Sequence, residues 1–581
     1  MLTANGLAQT SAPASAAKQE APASAESAAA YGTITGQINS EDGPLAYATV
    51  WLFPFSAGTR GAAPRTVTTD AEGKFKAAGL RGIAWNISVS APGYVRDSSL
   101  EEENRAPGPV NYRIGDTVNL RMTRGGVITG RVSNTAGEPV IAIRVTAQMT
   151  RDARGNPAPG QNTVSFQTDD RGVYRIYGLT PGNYTVVAGT NSSGGGGPGG
   201  RGYEGQVPVY YPAATRDTAV ELNVGAGGEI SGIDIQYRGE TGRAVSGKVL
   251  GAEAANRRAG GVNVTLAHAA TGTILHRAFT APRPGNEPSG FAIYGLADGE
   301  YELSAALDGP EDNDAVSMPR RVTVSGRDVS GVELTLIPLA SVSGRAAPDV
   351  SKNVCDVKTQ RPLEEQLFTL QSEDRKTAEA GIERRFQMSM AAPDRGGALT
   401  FRSVFAGRYR IVPQLPDEQL YVRAVTMPAP AVAAKAGAAR QTPAPINIGR
   451  GGLTLKAGDR LTGLNIDLAS GAAAINGVIK VAADQETNVF LIPVEREHAE
   501  DLLRYAETRT GKAGSFSFRN LAPGKYWLLA QPAKEAKDAP GRGPRPRVWD
   551  AAERARLRRE AELANRVIDL QPCQKLTGQV W

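Results

Sequence analysis

Few residues in this 581-residue chain are able to do chemistry. There are three histidines, His268, His276 and His498, and two cysteines, Cys355 and Cys573. A zinc peptidase needs His-x-x-Glu and a later histidine, so that three ligands leave one coordination position open. No histidine here has glutamate at the third place, and His498-Ala-Glu-Asp501 comes nearest. No metal site is therefore expected, and His268 and His276 are expected at the surface of a strand–turn region. No Gly-x-Ser-x-Gly elbow occurs to present a nucleophilic serine. Gly242-Arg-Ala-Val-Ser-Gly247-Lys248-Val249 fits the phosphate-loop pattern except at the hydroxyl that should hold magnesium, where Val249 stands. The Gly194–Gly202 tract contains Gly-x-Gly-x-x-Gly only because it is mostly glycine, and no helix pattern follows it. Asp308-Gly-Pro-Glu-Asp-Asn-Asp314 lacks the carboxylate spacing and the distant glutamate of a calcium loop. No catalytic residue and no cofactor are expected, and the chain reads as a non-enzyme.

Composition narrows the class further. Lys+Arg 65 against Asp+Glu 59 gives a net charge of only +6, without a long basic block, so no nucleic-acid partner is expected. No apolar run approaches the roughly 20 residues that span a bilayer, so no transmembrane segment is expected. Sixty-seven glycines and 37 prolines suit a globular chain rich in turns. Residues 1–31, an Ala/Ser/Pro/Gln tract, are expected to be a disordered leader. The alternative is the remnant of a signal cleavage region at Leu7-Ala8-Gln9.

The elements that would position any site come from an internal repeat. A short β-type run centred on glycine recurs at Gly36, Gly130, Gly247, Gly344, Gly477 and Gly578, about 100 residues apart, one small domain each. The phosphate-loop match is one copy of this run, which makes it a strand and not a loop opening a helix. A second element is clearest in Thr168-Asp-Asp-Arg-Gly172-Val-Tyr-Arg-Ile-Tyr-Gly178-Leu-Thr-Pro-Gly182-Asn-Tyr184. It combines an Asp-x-x-Gly turn, an alternating strand, a Pro-Gly turn and a strand that opens Gly-x-Tyr. Copies run from Thr69, Phe291 and Phe516, with a worn one at Phe401–Tyr409; in the first unit Trp85 takes the tyrosine's place. A third element closes each unit as a hairpin, as in Val322-Thr-Val followed by Val332-Glu-Leu-Thr-Leu336. By this alignment Val567–Leu570 closes the fifth unit and Leu576–Val580 opens a sixth that is not completed.

Together these strings resemble the carboxypeptidase-regulatory-like (prealbumin-like or transthyretin-like) β-sandwich family, which is grouped with starch-binding-like and collagen-adhesin B-type domains. The resemblance runs from about Gly32 to the C-terminus and is weakest in the fourth unit. It implies a non-catalytic accessory module on bacterial extracytoplasmic proteins. Collagen-adhesin relatives can carry a Lys–Asn cross-link, but alternation places Lys248 outward, where no buried link can form.

The expected fold is all-β: a tandem array of five antiparallel β-sandwich domains over 32–125, 126–241, 242–339, 340–470 and 471–570, followed by a C-terminal strand at 571–581. A short surface helix is expected at about 551–565, with Asp550 as its N-cap. Insertions collect at one edge, at Arg96–Pro109, Thr190–Gln206, Asp308–Arg320 and Met427–Pro445, where a constant scaffold can display binding loops. Alignment between units turns Trp51, Phe53 and Trp527 outward. Exposed there, they would stack on sugars or on a protein; otherwise they pack against neighbouring segments. Cys355 and Cys573 either pair, as an oxidising compartment permits, or stay as small buried hydrophobes. The functional reading is an extracytoplasmic spacer or adhesion surface meeting protein or polysaccharide at the cell surface; the alternative is a carbohydrate-binding protein.

Overall fold

The computed structural model describes residues 31–55, 63–96, 111–158, 163–189, 203, 205–213, 215–251, 261–280, 289–307, 314–349, 355, 361–373, 389–429, 444–480, 487–511, 514–533 and 546–581. Residues 1–30 of the leader and most of the insertions at 96–109, 190–206 and 427–445 lie outside this set, whereas of the insertion at 308–320 only 308–313 do. The chain is all-β, and its one helix longer than a single turn is Ala551–Ala564 among the described residues.

Each repeat builds two facing sheets around an apolar core. In the first, the opening strand Tyr31–Ser40 lies between Lys74–Arg81, antiparallel, and Thr117–Arg124, parallel. The facing sheet sets Thr49–Pro54 between Arg65–Thr68 and Trp85–Ser90. Alternation along Thr49–Pro54 buries Val50 and Leu52, which meet Ile34, Ile38 and Phe75 from the other sheet. The second, fourth and fifth repeats keep this plan. In the third, the short strand Ala315–Ser317 pairs with both Gly299–Leu307 and Val329–Pro338, joining the two sheets along one edge.

The repeated glycine is the hinge of this plan. Gly36 pairs with Phe75 on one side and Val118 on the other. Gly247 pairs with Phe291 and Val332, and Gly344 with Leu399 and Leu464. The register of the parallel strand shifts beside Gly247, Gly344 and Gly477, bringing backbone over the α-carbon. A side chain at Gly36, Gly130, Gly247 or Gly344 would collide with the carbonyl oxygen of Val118, Ile233, Val332 or Leu464 respectively. At Gly477 the ring of Trp581 fills that place.

Two further motif residues spend their polar atoms on the fold. Thr69 and Thr168, both buried, bridge a loop by donating to Leu45 O and Val140 O while accepting from the amides of Ala48 and Ile143. The Gly-x-Tyr tyrosines Tyr184, Tyr301 and Tyr526 each donate to the carbonyl four residues earlier, at 2.7–2.8 Å. The Trp85 indole N–H makes the same bond to Arg81 O at 3.1 Å, so the tryptophan does replace the tyrosine in function.

The structure corrects the reading of the closing hairpin. Its two arms are not paired to each other but join opposite sheets: Arg320–Val324 pairs with Gly299–Leu307, whereas Val329–Pro338 pairs with Arg243–Leu250. Lys575–Val580 accordingly opens no sixth unit. It lies parallel to Ala473–Val478 and is the second arm of the fifth sandwich, with Val567–Leu570 as the first. Both arms carry the same apolar alternation as an opening strand, and this is why the alignment misplaced it.

Replacing Gly130 by Ala should lower the stability of the second sandwich by about 1–3 kcal/mol through overpacking. Gly225→Ala, where no atom lies within contact distance, should stay within about 0.5 kcal/mol. Calorimetric melting of the full chain measures both, and equal melts would contradict the close-approach role.

Candidate functional site

The outward row of the first sandwich is the strand Thr49–Pro54 and the residue after it. With Val50 and Leu52 inward, Trp51, Phe53 and Phe55 follow one another on the other face. Trp51 is half-buried and Phe53 is 44% exposed. Phe55 packs with Ala84 against Leu367, Met390 and Ala392 of the fourth sandwich. The row thus runs from an open surface into a joint between the first and fourth repeats.

Charge surrounds that joint. Arg81 meets Glu364 at 2.9 Å, and Arg113 Nε donates to the Glu365 carbonyl at 3.1 Å. The Glu365 carboxylate, fully buried, accepts from Arg361 at 3.1 Å, and Arg361 also faces Asp116. Burial pushes the Glu365 carboxyl up from its ordinary value, with the Arg361 and Arg113 cations opposing the rise. Burial in the same place pulls the Arg113 guanidinium down. Such a network costs desolvation and gains geometry, so it fixes how the two repeats meet more than it adds stability.

The fourth and fifth sandwiches are joined more tightly. Asn520 donates to the carbonyls of Asp417 and Leu420, both at 2.8 Å, and Lys575 meets Glu418 at 2.6 Å. Cys355 and Cys573 form a disulfide, with α-carbons 5.6 Å apart and a separation of 218 positions in sequence. Closing a loop of that length favours the folded state by roughly 5.4 kcal/mol in the chain-entropy picture. Between the second and third repeats, Arg216 donates to the hydroxyls of Thr271 and Thr273 at 2.7 Å.

Trp527 is not an outward contact residue. It is 7% exposed, in a cluster with Phe490, Tyr505, Leu557 and Ala561, and the Arg558 guanidinium lies 5.0 Å over its ring. The helix Ala551–Ala564, capped by the Asp550 carboxylate on the Glu553 amide, covers it. Local alternation along Gly524–Pro532 carries no sign of a covering element from later in the chain.

His276 is also not at the surface. It is 6% exposed on Ile274–Thr280, where it pairs with the buried Leu266 and shares the inward row with Thr280. His268 is half-buried near Thr271, and His498 lies 3.5 Å from Glu497. Among the described residues no three His, Cys, Asp or Glu side chains stand together as a metal group would require. Lys248 is exposed on the strand Arg243–Leu250, within the stretch that matched a phosphate loop.

A scan against protein-family models finds no match, and no curated protein matches. Solved structures give partial likenesses. The GBS52 minor pilin of Streptococcus agalactiae is 13% identical over 36% of this chain and 95% of its own, with a TM-score of 0.19. The major pilin subunit BcpA of Bacillus cereus is 11% identical over 53% of this chain and 99% of its own, with a TM-score of 0.14. The Bacillus anthracis TIE protein is 16% identical over 52% of this chain, which spans 50% of that protein, again with a TM-score of 0.14. Scores this low carry no assignment, and the sandwich architecture rests on the sheets themselves.

Burial lowers the His276 imidazole from 6.5 to about 4. Between those values the unfolded chain binds a proton that the folded one excludes, so stability falls as pH drops. The third sandwich should lose stability from pH 6.5 toward pH 4 with a slope of up to about 1.4 kcal/mol per pH unit. His276→Phe should remove that slope, and urea titrations of both proteins at several pH values check it.

Proposed function

We propose that the chain is a non-catalytic extracytoplasmic scaffold of five β-sandwich units, with boundaries near Gly125, Thr241, Leu339 and Ser470, that presents interaction surfaces at the cell surface. Its modules are of the carboxypeptidase-regulatory-like kind. The observation that carries this reading is the bracing between repeats. A disulfide ties the fourth to the fifth sandwich, and a charged, partly apolar joint ties the first to the fourth. Disulfides of this kind persist in oxidising compartments, which supports a place outside the cytoplasm. A braced array holds its sandwiches at fixed spacing, as a spacer or adhesion surface needs. No helix among the described residues is long and apolar enough to cross a membrane.

A second reading, carbohydrate binding, is favoured by one observation: Trp51 and Phe53 share a face that is still open beside the joint. Trp527 drops out of it, being covered by the helix.

Peptide mapping of non-reduced protein recovered from cell fractions tests the first reading. A linked Cys355–Cys573 peptide in the extracytoplasmic fraction is expected, and free thiols in cytosolic protein would overturn it. Glycan-array binding that is saturable and lost in Trp51→Ala and Phe53→Ala would establish the second reading instead.

A further inference from the structure

The joint between the fourth and fifth sandwiches is not filled. A cavity of about 310 Å³ remains there, at the lower end of the range for small-molecule sites. Protein interiors seldom leave such space, because a relaxed interface closes it. The disulfide and the Asn520 hydrogen bonds tie together the two sandwiches that wall it.

The chemistry of the walls is one-sided. Val425 and Leu503 line it from the two sandwiches and Trp549 from the segment before the helix. Every charged lining residue among those described is an arginine: Arg410, Arg504 and Arg519. Two have carboxylate partners, Arg410 with Glu373 and Arg519 with Glu418. Arg504 does not. Its guanidinium donates to the Pro523 carbonyl at 2.8 Å and meets no carboxylate among the described residues. A half-buried cation over an apolar, aromatic-walled space lacks its counter-ion.

We propose that this cavity binds a small amphipathic anion, its apolar body between Val425, Leu503 and Trp549 and its acidic group on Arg504. The inference is independent of the scaffold reading, since a spacer and a glycan binder would carry the site equally well. Sulfonate, carboxylate and phosphate monoester head groups all satisfy the guanidinium, so the shared requirement is one negative group on an apolar body.

Two fluorescent probes of nearly one shape separate charge from fit: anilinonaphthalene sulfonate and its uncharged parent, N-phenylnaphthylamine. Titrated into the full oxidised chain, the sulfonate should saturate one site per chain and bind about tenfold more tightly than the neutral probe. Arg504→Gln should erase that preference, weakening the sulfonate about tenfold and the neutral probe less than about twofold. Ala506→Trp, which fills the space from the fifth sandwich, should weaken both. Circular dichroism melts report whether each variant folds; if Arg504→Gln does not, the probe pair on the unmodified chain and Ala506→Trp still decide. Equal affinity for the two probes, several weak sites in place of one, or binding indifferent to Ala506→Trp would overturn the proposal.

Discussion

A backbone carbonyl seated over a glycine α-carbon is the contact on which the rest of this structure depends. At Gly36, Gly130, Gly247 and Gly344 the parallel closing strand comes so near the opening strand that no side chain fits between them. Only there can an opening strand hold an antiparallel neighbour carrying the motif aromatic on one side and a parallel strand on the other. The aromatic ring leans on the same bare α-carbon, as Phe75 does on Gly36 and Phe291 on Gly247. One glycine therefore fixes the register of three strands and closes one sheet of the sandwich. The fifth copy varies the device, with the Trp581 ring nearest Gly477 and the Gln579 carbonyl beside it.

With the cores closed this way, the differences between repeats lie at their joints. The closing arm of one sandwich passes into the next opening strand with almost no linker, as between Thr117–Arg124 and Gly126–Ser133. Short connections set neighbours at defined angles, and the first sandwich then comes back against the fourth through Phe55, Ala84 and Leu367. The buried Glu365 at this joint would be costly unpaired, and Arg361 offsets that cost. A folded-back array braced at two joints is stiffer than five beads on a string, and stiffness keeps distant surfaces in register.

Much of this was legible in the sequence wherever a residue type has one physical use. Glycine at a fixed place in a β-run, threonine before Asp-x-x-Gly and tyrosine after Pro-Gly each have a local reason, and the sheets use them for it. Even the exception at Trp85 could be read, since an indole N–H can make the bond a tyrosine hydroxyl makes elsewhere. What stayed hidden depends on contacts between segments far apart. Alternation says that Trp527 points away from its own core but not that Leu557 and Ala561 arrive to cover it. It says that both closing arms are strands but not that they join opposite sheets. The pairing of His276 with the buried Leu266, invisible in composition, sets which way that side chain faces. The cavity at the fourth and fifth sandwiches is still less visible, because its walls come from segments that touch only after both cores have formed.

The strand Lys575–Val580 offers the most direct test of the closing-strand principle, because its residues look like an opening strand and its partners make it a closing one. Amide hydrogen exchange of the full oxidised chain, read by mass spectrometry of overlapping peptides, measures the difference. If it completes the fifth sandwich, the amides of Lys575–Val580 that bond to Ala473–Val478 should exchange well below free-peptide rates, though faster than those of the central strand Ala473–Val478. Free-peptide exchange at Lys575–Val580 beside a protected Ala473–Val478 would contradict the arrangement in which every sandwich is closed over its glycine.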